Sequence, residues 1–144
     1  MVGALVLVVV VAFVGCVGYV FVRPQWQRQQ LAQVYEQVDF QPFGFVPPIR
    51  RPQVRDSPLR VEETWATNLD LVTEPDFVDR AVERLYTWSR DRGATAPRED
   101  FAGCFASHCQ ISWIYRNSHT VTIIVSSDLG AIPTWDLVFI LRPL

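Results

Sequence analysis

Residues 109–125 read CQISWIYRNSHTVTIIV, two apolar runs around a polar centre. Ile111, Trp113 and Tyr115 occupy alternate positions before the centre, and Val121, Ile123 and Val125 do so after it. A period of two is the signature of a strand with one buried face. Both odd-numbered sets can share that face only if odd residues pair with odd. A two-residue loop at Asn117-Ser118 would pair odd with even and turn one set to solvent. The expectation is therefore a hairpin with a three-residue loop, Asn117-Ser118-His119, in which Asn117 or a neighbour takes a left-handed conformation.

The same alternation recurs on either side of the hairpin. Trp135, Leu137, Phe139 and Leu141 make one apolar face of a strand at 135–141, while its other face, Asp136, Val138, Ile140 and Arg142, is mixed. An earlier strand fits at about Leu59 to Ala66, where Val61, Glu63 and Trp65 alternate less cleanly. Between them, Thr73-Glu74-Pro75-Asp76 reads as a helix start with a threonine cap and an early proline. Phe77, Val78, Ala81, Val82, Leu85 and Trp88 then repeat on one helical face, and Gly93 is a natural stop. A helix over about 74–92 follows. Residues 59–144 thus read as a small α+β domain, one main helix packed on a three- to four-stranded antiparallel sheet.

The chain begins differently. Residues 1–22, MVGALVLVVVVAFVGCVGYVFV, carry no charged side chain. As a helix, Val2 to Val22 would extend about 31 Å, the thickness of a bilayer's hydrocarbon. A single transmembrane helix at 1–22 is expected. Two alternatives to a span are a cleaved signal peptide, which normally has a basic start and a small-x-small cleavage site, and a lipidated Cys16 in Phe13-Val14-Gly15-Cys16. The apolar run continues past Cys16, and neither signal-peptide feature is present. Residues 23–39 read as a juxtamembrane amphipathic helix, with Leu31, Val34, Tyr35 and Val38 on one stripe and Trp26 at the membrane exit. Residues 40–58, rich in proline, read as a semi-rigid tether partly draped over the domain.

Composition narrows the chemistry. The 144 residues carry 13 basic and 15 acidic side chains, and every basic one is Arg. No basic field exists to hold a nucleic acid, and lysine-dependent chemistry is excluded. Glycine-rich phosphate loops, nucleophile elbows, His-Glu-x-x-His and calcium loops are absent. Glu62 and Glu63 sit on opposite faces of a strand and cannot cooperate. Asp79 and Glu83 share a helix face, and solvation is their ordinary role.

One cluster remains, CFASHC at 104–109. Pro97 suits the first turn of a short helix that would bury Phe101, Cys104 and Phe105, and Cys109 points inward at the head of the next strand. A turn at 106–108 would bring the sulfurs together. A disulfide between Cys104 and Cys109 is the favoured reading. Two free buried thiols, a zinc site from Cys104, His108, Cys109 and His119, and a nucleophilic thiol with His108 as base are the alternatives. No cofactor, metal or catalytic residue is assigned.

Arg23 and Arg28 directly after the span would place the domain in the cytoplasm by the positive-inside rule. A disulfide requires an oxidising compartment and argues for the opposite side. The expectation is an extracytoplasmic domain on a single-pass membrane protein, acting as a non-catalytic interaction or accessory module. Its partners are the lipid bilayer and a protein at the membrane. The alternative is a thiol- or metal-dependent function at Cys104, His108 and Cys109.

Overall fold

In the computed structural model the described residues are 2–47 and 52–144, and along 2–21 side chains are described at 12, 15, 16, 18 and 19 only. The chain runs α1 (Val2–Val38), β1 (Phe45–Val46), β2 (Gln53–Asp56), β3 (Leu59–Thr67), α2 (Leu69–Val72), α3 (Phe77–Arg90), α4 (Arg98–Ala106), β4 (Cys109–Tyr115), β5 (His119–Asp128) and β6 (Thr134–Pro143). The fold is α+β, built on one six-stranded sheet in the order β1-β3-β6-β5-β4, with β2 also paired to β3. Every pairing is antiparallel.

The hairpin 109–125 forms with the parity its pattern demands. Cys109 pairs with Val125, Trp113 with Val121 and Tyr115 with His119, so odd meets odd throughout. The loop holds three residues but lies one position earlier than expected, at 116–118. Arg116 (φ 50°) and Asn117 (φ 55°) are both left-handed, and the Ser118 N–H donates to the Tyr115 carbonyl at 3.2 Å. Two successive left-handed residues match the twist of the flanking strands.

The sheet has six strands rather than three or four, because the stretch read as a tether contributes two. Phe45 and Val46 pair with Thr67 and Ala66, and Gln53–Asp56 pairs with Glu62–Leu59, so β1 and β2 lie one after the other along the same edge of β3. Pro47 and Pro52 flank these strands. An edge strand needs hydrogen bonds on one side only, so neighbouring prolines are tolerated there. That is why the proline content hid the pairing.

The helices cover one face of the sheet. Val61, Trp65, Trp113, Val121, Ile123, Val125, Leu137, Phe139 and Leu141 are all buried beneath α3, α4 and the C-terminal end of α1. Helix α3 starts later than its sequence signal. Thr73 closes α2 instead of capping α3, whose N-cap is Asp76, and its buried face is Phe77, Ala81, Val82, Leu85 and Ser89.

Helix α1 runs unbroken through Pro24 to Val38, so 23–39 is the continuation of the first helix rather than a separate one. Its stripe packs on the domain: Leu31 and Val38 are buried, and Val34 and Tyr35 lie against the core. Two carbonyls at its end accept hydrogen bonds from side chains at the end of α3. The Arg92 Nε donates to Val38 at 2.6 Å and the Trp88 Nε1 to Asp39 at 3.0 Å. Asp39 is left-handed (φ 47°), which ends the helix and turns Phe40 into the core, where its ring stacks on Phe139 at 4.6 Å. Among the described residues no helix is long and apolar enough to cross a membrane. The expected span at 1–22 rests for most of its length on side chains outside that set.

Gly44 (φ 84°) permits the turn into β1, and a Cβ there would collide with the ring of Phe77, itself fully buried. Gly44→Ala should cost about 2 kcal/mol or more, from left-handed strain and overpacking together. Gly103, mid-helix in α4, has open space around it, so Gly103→Ala should stabilise by up to about 1 kcal/mol. Thermal unfolding of the pair checks both signs.

Candidate functional site

The CFASHC cluster is a staple. Helix α4 buries Phe101, Cys104 and Phe105, and its last turn ends at Ser107, whose N–H donates to Gly103 at 3.2 Å. The chain then reverses into β4, and Cys104 and Cys109 are joined by a disulfide with their Cα atoms 4.9 Å apart. With both sulfurs in the bond, neither is available as a thiolate. His108 Nδ1 lies 3.0 Å from the Ser126 hydroxyl on β5. His119 sits at the opposite end of the hairpin from Cys109, six residues of strand away, which is about 20 Å. It lies 2.8 Å from the Ser118 hydroxyl, and burial holds its pKa below the ordinary histidine value. The four residues of the zinc reading are therefore not brought together, and no group of three or more His, Cys, Asp or Glu poised for a metal occurs among the described residues.

Closing a loop of this length contributes roughly 2 kcal/mol through the unfolded chain. The variant Cys104→Ala/Cys109→Ala should lose that amount and melt about 10 °C lower. Reduced wild type should melt with it, whereas a difference of several degrees between the two would assign the bond a further role.

A second candidate surface is the face of the sheet opposite the helices. On β6 it presents Asp136, Val138, Ile140 and Arg142. Val138 is flanked by Thr64 on β3 and Ile124 on β5, and Ile140 by Glu62 and Thr122. Val138, Ile140 and Ile124 are half-buried, while Ile114 on β4 is 56% exposed. Glu62 is neutralised in place by Arg55 at 3.3 Å and Arg60 at 3.0 Å. Arg142 and Asp136 are exposed at opposite ends of the strand, and neither enters an ion pair among the described residues.

The third candidate is a cavity of about 630 Å³ between the end of α1, the 39–47 segment and β3. Tyr35, Phe45 and Trp65 supply aromatic walls, and Glu36, Asp39 and Glu63 supply carboxylates. Glu63 is only 7% exposed and accepts a hydrogen bond from the Tyr35 hydroxyl. Burial, and then the Glu63 carboxylate, push the Tyr35 pKa above the usual phenol value, so this hydroxyl remains a donor. The Nε1 of Trp65 is buried with no hydrogen-bond partner.

Alternation along β3 announces that Glu63 faces inward, opposite to Glu62. The cavity itself leaves no mark in the sequence, since Tyr35 and Glu63 are 28 residues apart. A buried acid facing the same way as Val61 and Trp65 was the one available signal. Compared with known proteins, the chain matches no family model, no curated protein and no solved structure.

Proposed function

We propose that this chain is a single-pass membrane protein whose α+β domain is a non-catalytic interaction module, docking through the open face of its sheet. The bilayer reading is supported by the uncharged run at 1–22 and by its continuity, in α1, with a segment packed on the domain. The Cys104–Cys109 disulfide supports an extracytoplasmic domain.

The observation that carries the module reading is the open face itself, with Val138 and Ile140 at its centre and, at its ends, charges of opposite sign that enter no ion pair among the described residues. A second copy fits it. Rotation by a two-fold axis lying in the interface and perpendicular to the strands, through the level of Phe139, reverses β6 over its counterpart. Val138 then meets Ile140 of the other copy, and Arg142 meets Asp136 twice over. On the neighbouring strands the same operation sets Glu62 over Thr64 and Thr122 over Ile124, with no like charges directly opposed. Isologous pairing of this kind is the commonest oligomeric contact, and facing sheets pack about 10 Å apart. The face spans roughly 500 Å² in projection from strand spacing and rise, small for a permanent dimer. Confinement of both copies to one membrane raises their effective concentration and suits a weak contact of this size.

Charge reversal tests it. A photo-crosslinking residue at Val138 in membranes should give a dimer band. Asp136→Arg and Arg142→Asp should each reduce that band at least fivefold, and the double reversal should restore it. A band indifferent to either reversal, or a crosslink to a different protein, would sink the second-copy reading.

A further inference from the structure

We propose that the β2–β3 hairpin rests on the bilayer surface, where Arg55 and Arg60 hold the phosphate of an anionic phospholipid. The inference rests on the single-pass reading of residues 1–22. Two contacts place the hairpin relative to α1, which runs unbroken from Val22 to Val38. Arg28 is ion-paired with Asp56, and the Tyr35 hydroxyl donates to Glu63. Asp56 lies opposite Leu59 on the ladder. From Arg28 to Tyr35 the helix climbs about 10 Å, and from Leu59 to Glu63 the strand climbs about 13 Å. Helix and strand thus rise side by side, with the turn at Ser57-Pro58 at the lower end, toward Val22. Arg28 is six residues beyond Val22, about 9 Å along the helix. The turn is one residue lower still, about 6 Å above the end of the apolar run. That height falls within a headgroup layer roughly 5–7 Å deep.

The charges on the hairpin select what it meets there. Arg55 and Arg60 are directly opposed on the ladder. Their side chains therefore share a face of the sheet, and like charges so placed repel. Both lean on the same oxygen of Glu62, Arg55 at 3.3 Å and Arg60 at 3.0 Å. One carboxylate offsets one guanidinium, and no second acid pairs with either arginine among the described residues. Asp56, the other acid of the hairpin, is held by Arg28. A net positive charge remains, and the Arg55 side chain that carries part of it is 51% exposed. Guanidinium forks match phosphate oxygens in geometry as well as in charge. A phosphatidylcholine phosphate is already offset by its own ammonium group, so the pair favours a headgroup with net negative charge, and a surface so charged attracts arginines held within a Debye length of it.

Photo-crosslinking of the full chain in nanodiscs made from equal parts of phosphatidylcholine and phosphatidylglycerol tests this. With the photoreactive residue at Ser57, mass spectrometry should find lipid adducts in which phosphatidylglycerol outnumbers phosphatidylcholine at least threefold. Arg55→Gln/Arg60→Gln should bring that ratio close to one and leave the total adduct yield unchanged, because the Arg28–Asp56 contact still holds the turn at the surface. Arg55→Lys/Arg60→Lys, which keeps the charge, should retain most of the preference, and its melting temperature beside that of the glutamine variant checks that the hairpin stays folded. A second photoreactive residue at Ala12 tests the span separately. Acyl-chain adducts at Ala12 with none at Ser57, or a lipid ratio at Ser57 that ignores the glutamine substitutions, would overturn the headgroup contact alone. Absence of lipid adducts at Ala12 would overturn the single-pass reading and the contact with it.

Discussion

A fragment comprising residues 59–144 will fail to fold, while one comprising 24–144 will melt cooperatively. The shorter fragment is the unit that strand and helix patterning marks out as the domain, yet it lacks four side chains of the core. Leu31, Val38, Phe40 and Phe45 are exposed by 2, 0, 5 and 8% respectively. Burying each stabilises by about 1.5–3 kcal/mol, so the four together amount to roughly 6–12 kcal/mol, comparable with the whole stability of an ordinary domain. Their loss also strips the ring stacked on Phe139 at 4.6 Å and the edge-on Tyr35 ring at 5.9 Å. The carbonyls that Arg92 and Trp88 bond at the end of α1 go as well. Near-ultraviolet circular dichroism and a denaturant titration read the outcome. A cooperative transition of 59–144 within a few degrees of the longer fragment would show that α1 merely rests on the domain.

The reason this dependence is hidden in the sequence is physical. Strands β3 to β6 are seven to ten residues long with one face in the core, so their apolar residues alternate and announce themselves. Strands β1 and β2 have two and four residues, too few for a period to develop, and lie at an edge where prolines are tolerated. The stripe Leu31, Val34, Tyr35, Val38 is legible as a helix face. Periodicity states that a face is buried and leaves open whether lipid, a second helix or the chain's own sheet covers it. The helix start at 73–76 is displaced: Thr73 closes α2 through its backbone N–H, and α3 begins after Asp76, whose side chain makes no capping hydrogen bond.

The candidate sites divide along the same line. Cys104 and Cys109 are five residues apart, and the turn between them is short enough to reason through, so the staple was within reach of the sequence. The open face was partly legible from the mixed even positions of β6. The cavity was not, because it depends on Asp39 turning left-handed and on a contact between Tyr35 and Glu63 that no local pattern encodes.

Phe139→Ala and Ile140→Ala, neighbours on one strand, will separate stability from association. Phe139 is fully buried at the centre of the sheet and touches the rings of Tyr35, Phe40 and Trp88. Truncating it leaves a cavity walled by rigid rings that cannot collapse, so the loss should be about 4 kcal/mol and the melting temperature should fall by roughly 15–20 °C. Ile140 points the other way, half-exposed beside Glu62 and Thr122. Its truncation should cost no more than about 1 kcal/mol and leave the melting temperature nearly unchanged, yet reduce the crosslinked dimer several-fold, because it removes the apolar contact nearest the proposed two-fold axis. If Ile140→Ala left the dimer intact, the open face would be an ordinary solvated sheet surface. If Phe139→Ala were as mild as Ile140→Ala, the helices would not be packed on the odd face as described. One strand thus carries the core on its odd positions and, on the proposed pairing, the partner on its even ones, and a shift of register by a single residue would destroy both at once.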